Sequence, residues 1–279
     1  MCLIWGSTWL VIHIGSVAGL PPFTGASLRF GLAALLMWIW LLTSGAELPK
    51  TQNEWRAIVV IGFLSNGVSF AIAYWASQFL PSGLSSVIFG TMPLWTAIFS
   101  HWAFETERMS AARIIGILVG LAGLATIFFP KFIGDFELSS VLPMIILLGA
   151  PLVSAVSTVL TKRYTHDVSP VTLNTIATTT GFTLLAAIAI TNEDVLAHSF
   201  TFTDVWTIAY LAILGSIVAF VSYFSLMKHV SPVTMSYITL ISPTIAVFLG
   251  WMILGEHLGA NELIGAGLVL GGARLSIRI

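Results

Sequence analysis

One apolar block occurs twice in this chain. The stretch Ser86-Val87-Ile88-Phe89-Gly90-Thr91-Met92-Pro93, running on through Glu107 to Gly123, returns as Ser236-Tyr237-Ile238-Thr239-Leu240-Ile241-Ser242-Pro243, running on through Glu256 to Gly272. In each copy a proline interrupts an apolar run, a glutamate closes it, and a glycine-punctuated run follows. Equivalent residues stand about 149 positions apart in a chain of 279, with one residue of slippage between proline and glutamate. Self-similarity at half the chain length in so apolar a sequence marks a duplicated membrane unit.

The reading depends on how apolar the chain is. With 57% hydrophobic and 8% charged residues, it has more apolar surface than a soluble core can hide. A run of about 20 such residues crosses a hydrocarbon layer about 30 Å thick. Ten runs satisfy this pattern: Leu3–Ala18, Phe23–Leu42, Trp55–Gln78, Ser82–Phe104 and Met109–Phe129, then Val141–Leu160, Pro170–Thr191, Val205–Met227, Pro232–Leu254 and Leu258–Leu275. The expectation is an all-α integral membrane protein of ten transmembrane helices. Residues 1–137 form a first five-helix repeat and residues 138–279 a second, joined by short loops. Five crossings per copy leave the chain on the opposite side, so the second copy is inverted.

Charge placement gives the orientation. Lys50, Arg56, Arg108, Arg113, Lys162, Arg163, Lys228, Arg274 and Arg278 fall on the side of the N-terminus, whereas only Lys131 falls opposite and Arg29 lies within the second helix. The positive-inside rule then makes both termini cytoplasmic in a multi-pass inner (plasma) membrane protein, with Glu107 facing inward and Glu256 outward. A net charge of -1 with dispersed basic residues gives no sign of nucleic-acid binding, and no nucleic-acid partner is expected. The first run has neither a basic leader nor a small-residue cleavage site and reads as a true helix rather than a removable signal. The lone Cys2 excludes an intramolecular disulfide and a cysteine metal cluster; neither metal nor cofactor is expected.

The opening Trp5-Gly6-Ser7-Thr8, followed by Leu20-Pro21-Pro22 and Ser27-Leu28-Arg29-Phe30, resembles the start of the EamA proteins of the drug/metabolite transporter superfamily. The paired blocks Pro93/Glu107/Gly116 and Pro243/Glu256/Gly265 share that resemblance, which covers essentially the whole chain. It implies ten helices in a 5+5 inverted repeat and export of small metabolites. The first block departs from the pattern, ending Glu105-Thr106-Glu107-Arg108 where the second keeps Gly255-Glu256, and Arg29 has Ala177 as its approximate counterpart. The halves therefore differ in role.

A carrier needs polar or aromatic groups at mid-membrane depth, where unsatisfied polarity is costly. Trp5, Trp9 and His13 follow one face of the first helix, as do Asn66, Phe70 and Tyr74 on the third and Ser216, Phe220 and Tyr223 on the eighth. Tyr74 and Tyr223 are repeat equivalents. Pro93 and Pro243 lie inside the fourth and ninth helices as helix breaks, flanked by Thr91 and Trp95 and by Ser236, Tyr237, Thr239, Ser242 and Thr244. Ser154, Ser157, Thr158 and Thr161 make a polar stripe on the sixth helix. The substrate-binding candidates are thus Trp9, His13, Asn66, Tyr74, Thr91, Trp95, Ser154, Thr158, Tyr223, Tyr237 and Thr239. For each, packing is the alternative role: hydroxyls glue membrane helices together and tryptophans anchor at interfaces. Trp38, Trp40, Trp55, Trp206 and Trp251 are read as such anchors. Gly116, Gly120 and Gly123, with Gly267 and Gly271, read as close-packing faces of helices five and ten. The same glycines leave a dimer open as an alternative to the monomer.

Energy coupling through a mid-membrane carboxylate is not expected, because all twelve acidic residues fall in loops or at helix ends. Arg29 is expected to pair with a carbonyl or a loop carboxylate and so fix the outer end of the second helix; contact with an anionic substrate is the alternative. Transport is then facilitative or weakly coupled to protons, His13 being the group nearest to neutral titration. Few charges and many aromatics and hydroxyls suit a small amphipathic solute, amino acids (aromatic ones included) first, with drugs or organic cations as the alternative. An intramembrane enzyme lacks its motifs here: there is no nucleotide-binding G-x-x-x-x-G-K-[ST] and no zinc-binding H-E-x-x-H. A membrane assembly factor is the other class, and it does not need an inverted duplication.

Overall fold

The computed structural model describes residues 1–80, 82–105, 109–132, 140–195, 197–254 and 259–277. Glu107 and Glu256, the glutamates of the repeated block, lie outside these residues, as do Arg108 and Arg278. Within the described residues the regular structure is helical, with no strand. Helix α1 spans Cys2–Val17, α2 Pro22–Ser44, α3 Gln52–Ala76, α4 Gly83–Ala103 and α5 Ala111–Phe132. Then follow α6 Val141–Tyr164, α7 Pro170–Asn192, α8 Phe202–Met227, α9 Pro232–Leu254 and α10 Ala260–Ile277. Seven of these, α2 to α8, are long and apolar enough to cross a membrane; α1 and the Pro232–Phe248 part of α9 are shorter apolar helices. Leu3, Leu42, Ile145, Ile190 and Met252 are among many large apolar side chains left exposed, an outer surface suited to lipid rather than water.

Local chemistry sets the helix ends. Thr51 Oγ1 accepts the Glu54 N–H while the Glu54 carboxylate accepts the Thr51 N–H, and Thr201 and Asp204 make the same reciprocal cap. Helices α3 and α8 consequently begin three residues ahead of the Trp55 and Val205 starts expected from hydrophobicity alone. Pro170 opens α7 behind the N-cap Ser169. Helix α2 opens on Pro22 and borrows its cap from the far end of α7. There Glu193 Oε1 accepts the Phe23 N–H at 2.9 Å, and Oε2 accepts the Thr24 N–H and hydroxyl, each at 2.7 Å.

The two prolines of the repeated block behave differently. Helix α4 breaks at Gly90–Thr91 and restarts at Met92, so Pro93 occupies a first turn, where its missing N–H leaves no intrahelical bond unmade. That corrects the expectation of a mid-helix proline at this position. Pro243 does lie inside α9. Helices α3 and α8 each carry a π-helical segment, at Phe63–Ser69 and Leu211–Val218.

Helices α2 and α7 pack on each other antiparallel. Glu193 meets Thr24 at one end of the α2–α7 pair, and the Thr172 hydroxyl donates to the Glu47 carbonyl at 2.8 Å at the other. Between these ends the Trp38 indole donates to Thr179 Oγ1 at 3.0 Å, so Trp38 is an interhelical contact and not the interface anchor expected. Helices α5 and α10 form the second such pair. Around these two pairs α1 packs on α8 and α9, while α6 packs on α3 and α4.

The α5–α10 contact is close enough to exclude side chains. A Cβ on Gly116 would come 2.5 Å from the Gly272 carbonyl oxygen, and one on Gly265 would come 2.5 Å from that of Gly123. On α10 the packing glycines are therefore Gly265 and Gly272. Gly267 and Gly271, expected at this contact from their spacing, have open space beside them. Two residues turn an α-helix by about 200°, so Gly267 points away when Gly265 points in.

Candidate functional site

A cavity of about 140 Å³ lies between α1, α3, α4, α6, α8 and α9, roughly ten times the room a single water needs. Among the described residues Arg29 is the one contribution of α2, and α5, α7 and α10 give no lining residue. Trp9, Phe89, Met92 and Ile12 form an apolar part, and Trp5, Phe70, Phe220 and Tyr223 an aromatic one. The Trp5 ring centroid lies 5.5 Å from those of both Phe220 and Tyr223, edge-on to the first. Hydroxyls from Ser65, Ser69, Ser154, Ser157, Thr158, Thr239 and Ser242 supply the polar part.

The π-helical segments explain much of this polarity. A shift from i→i−4 to i→i−5 pairing leaves carbonyls that need other donors. In α3 the Ile61 carbonyl accepts both the Ser65 hydroxyl at 2.8 Å and the Ser157 hydroxyl of α6 at 3.2 Å. In α8 the Leu211 carbonyl accepts the Ser216 hydroxyl at 3.0 Å. The Ser216 carbonyl accepts the Asn174 amide of α7 at 3.1 Å, and the Gly215 carbonyl accepts Trp5 Nε1 and Arg29 Nη2, each at 3.4 Å.

The α6 stripe has both of the roles open to it. Ser154 Oγ shares a 2.7 Å hydrogen bond with Ser69 Oγ, which also donates to the Ala150 carbonyl at 3.0 Å. Thr158 Oγ1 lies 2.9 Å from both the Tyr223 hydroxyl and the Ser154 carbonyl oxygen. These hydroxyls join α6 to α3 and α8 and at the same time line the cavity.

Of the candidate binding residues, the cavity brings together Trp9, Tyr74, Ser154, Thr158, Tyr223 and Thr239. It does not include the other five. His13 is exposed one turn beyond Trp9. Asn66 is fully buried against Gly181 of α7, its side-chain Oδ1 accepting the Ser65 hydroxyl at 3.0 Å. Thr91 donates to the Ile88 carbonyl at 2.7 Å, which closes the turn at the α4 break. Trp95 stands behind that break, outside the lining. Tyr237 is 1% exposed and packs with Ile117, Leu124, Leu240 and Val269 between α5, α9 and α10. A helical face computed from residue spacing does not say which neighbour the face meets; α9 turns Thr239 and Ser242 toward the cavity and Tyr237 away.

Thr8, Ser69 and Met235 are lining residues that spacing did not single out, and Arg29, placed within the second helix, was expected to fix the outer end of that helix. Instead Arg29 is fully buried at the cavity wall. Its Nε donates to Ser216 Oγ at 2.9 Å and its Nη1 to the Tyr74 hydroxyl at 3.4 Å. Its Cζ stands 4.9 Å from the Phe70 ring centroid and 5.1 Å from that of Phe30. The carbonyl partner expected for it is present at Gly215, but among the described residues no carboxylate pairs with it.

The sequence profile described as the EamA-like transporter family matches two stretches of the chain, residues 1–129 and 141–278. The inner membrane transporter YedA of Escherichia coli is 31% identical over 270 residues, 96% of this chain and 85% of its own. The transporter YoaV of Bacillus subtilis is 25% identical over 267 residues, 96% of this chain and 90% of its own. A solved crystal structure at 19% identity superposes with a TM-score of 0.84, covering 99% of this chain and 93% of that one, which establishes likeness of fold.

Proposed function

The chain belongs to the EamA-like transporter family, and from that membership we propose that it is a secondary carrier exporting small organic metabolites, amino acids first, through the central cavity. The observation that carries this reading is the cavity wall. It is built from both halves of the chain, is mainly aromatic and hydroxylic, and among the described lining residues bears a single formal charge. Such a surface suits an amphipathic solute of amino-acid size. A polyphosphorylated solute would call for several inward cations, and an organic cation would meet Arg29 with no carboxylate beside it.

In this reading ten helices cross the inner (plasma) membrane as a 5+5 inverted repeat, residues 1–137 and 138–279, with both termini cytoplasmic. Three observations support it. One family profile matches both halves. The pairs α2–α7 and α5–α10, each joining equivalent helices, run antiparallel, as inversion requires. The π-helical segments recur in the equivalent helices α3 and α8. Two similar halves around one site can exchange conformations, opening the cavity to either side in turn.

The transport is facilitative or weakly coupled. The titratable groups of the described lining are Arg29 and the tyrosines Tyr74 and Tyr223, with neither histidine nor carboxylate among them. The test is counterflow of radiolabelled amino acids in proteoliposomes, with aromatic members and organic cations in the same panel. Saturable amino-acid flux that persists without a pH gradient is the expected result. Flux of the cations alone overturns the substrate assignment, and flux abolished by collapsing the pH gradient overturns the uncoupled mechanism.

A further inference from the structure

Arg29 poses a question of charge that the rest of the protein leaves open. A guanidinium has five N–H donors and cannot shed its proton, and removing it from water costs several kcal/mol unless a charge or a full set of hydrogen bonds replaces the solvent. Among the described residues it has three bonds, to Ser216, Tyr74 and Gly215, two of them at 3.4 Å, and all three acceptors are neutral. Two phenyl faces add cation–π attraction without neutralising it. Glu193 and Asp204 are engaged elsewhere: Glu193 caps α2, and Asp204 caps α8 while accepting from His198. A fully buried cation held by neutral groups at the wall of a ligand-sized cavity retains its charge for whatever enters.

We propose that Arg29 is the anchor for a carboxylate on the transported solute, an assignment that rests on the reading of this cavity as the carrier's binding site. The neutral partners fix the guanidinium: Ser216 and the Gly215 carbonyl, exposed by the π-helical segment of α8, hold it from one half, and Tyr74 from the other. A carboxylate partner in the protein would orient it equally well but would neutralise it. One cation matches one carboxylate. The substrate is therefore a monocarboxylate or a zwitterion whose apolar body lies along Trp9, Phe89 and Met92. A bare amine or a carboxamide of the same shape forfeits the charged bond.

Four compounds of one skeleton separate the possibilities: phenylalanine, 3-phenylpropionate, phenylalaninamide and phenethylamine. Phenyl phosphate serves as a fifth, non-carboxylate anion. Binding to the purified full chain in detergent is read by quenching of tryptophan fluorescence, since Trp5 and Trp9 line the cavity. The two carboxylates are expected to bind about 10- to 100-fold more tightly than the amide and the amine, the range of one charge-assisted hydrogen-bonded pair. Arg29→Gln is expected to erase that preference, bringing the ratio of acid to amide affinity down to about one, and Arg29→Lys to restore part of it. Equal binding of acid and amide by the unaltered protein overturns the proposal, whether or not Arg29→Gln folds. A preference that survives in a folded Arg29→Gln protein also overturns it, as does tighter binding of phenyl phosphate than of either carboxylate. Flux of the same compounds in proteoliposomes isolates the underlying reading. Carboxylate-selective binding without any flux defeats the carrier and keeps the anchor, whereas flux indifferent to the carboxylate defeats the anchor and keeps the carrier.

Discussion

Adding one methyl group to different glycines of α10 should change stability in opposite directions. In Gly272→Ala the new Cβ would stand 2.4 Å from the Gly116 carbonyl oxygen and 2.6 Å from the Gly120 nitrogen, both backbone atoms of α5 that no side-chain rotation can move. In Gly265→Ala it would stand 2.5 Å from the Gly123 oxygen. Reaching ordinary contact requires α5 and α10 to part by roughly 1 Å, and overpacking of this kind costs about 1–3 kcal/mol. Alanine's better helix propensity returns up to about 1 kcal/mol. The net expectation is a loss of about 1–2 kcal/mol for each substitution. At Gly267 and Gly271 the added methyl meets nothing within 4 Å, so only the propensity gain of up to about 1 kcal/mol remains. Unfolding by SDS titration in mixed micelles, followed by circular dichroism, gives the four values. If Gly267→Ala destabilises as much as Gly272→Ala, the rotation of α10 about its axis is wrong, and with it the α5–α10 contact.

Other substitutions test the remaining links. Lys162 Nζ, at the end of α6, donates to the carbonyls of Met227, Val230 and Lys228 at 2.8, 3.0 and 3.2 Å and so ties α6 to the turn between α8 and α9. Lys162→Met should lower stability by about 1–3 kcal/mol and speed amide hydrogen exchange at residues 228–231; unchanged exchange there would show that the tie does not hold the turn. Glu193→Gln removes the carboxylate that caps α2 from α7 and should cost about 1–2 kcal/mol in the same SDS titration, with no loss refuting the interhelical cap. Tyr223→Phe leaves Thr158 bonded to Ser154 and should fold normally while raising the KM for substrate in counterflow. An unaltered KM would remove the Thr158–Tyr223 pair from the binding surface.

Several features of the molecule were legible in the sequence because they are local. The prolines that open α7 and α9 and the apolar runs between them are patterns of a few residues acting on their own backbone; the capping boxes at Thr51/Glu54 and Thr201/Asp204 are equally local but went unread, so α3 and α8 began earlier than expected. The candidate site was half legible. Helical periodicity aligned Trp5 with Trp9, Phe70 with Tyr74 and Phe220 with Tyr223, and these do share the cavity. Periodicity also grouped His13 and Asn66 with them, and nearness to a proline added Thr91, Trp95 and Tyr237; neither pattern says what a helix face meets. The π-helical segments left no sequence signal that was recognised, although they create the carbonyls that Trp5, Arg29 and Asn174 satisfy. Repeat-equivalent positions in α3 and α8 would have been the place to look.

By itself the sequence determined that this chain is an apolar, helical membrane protein that carries one block twice. Hydrophobicity summed over about 20 residues and a block repeated at half the chain length do not depend on how helices are arranged. Only the tertiary structure decided which side of each helix is inside. It turned Gly265 and Gly272 rather than Gly267 and Gly271 onto α5, placed Trp38 between helices, and moved Pro93 to the start of a helical turn. It also buried Arg29 among neutral partners at the cavity wall. The physical reason is that rotation about a helix axis is set by contacts between segments far apart in the chain. In an apolar helix, where one face is as hydrophobic as the next, composition gives no preferred face, and close packing and the few polar groups fix it.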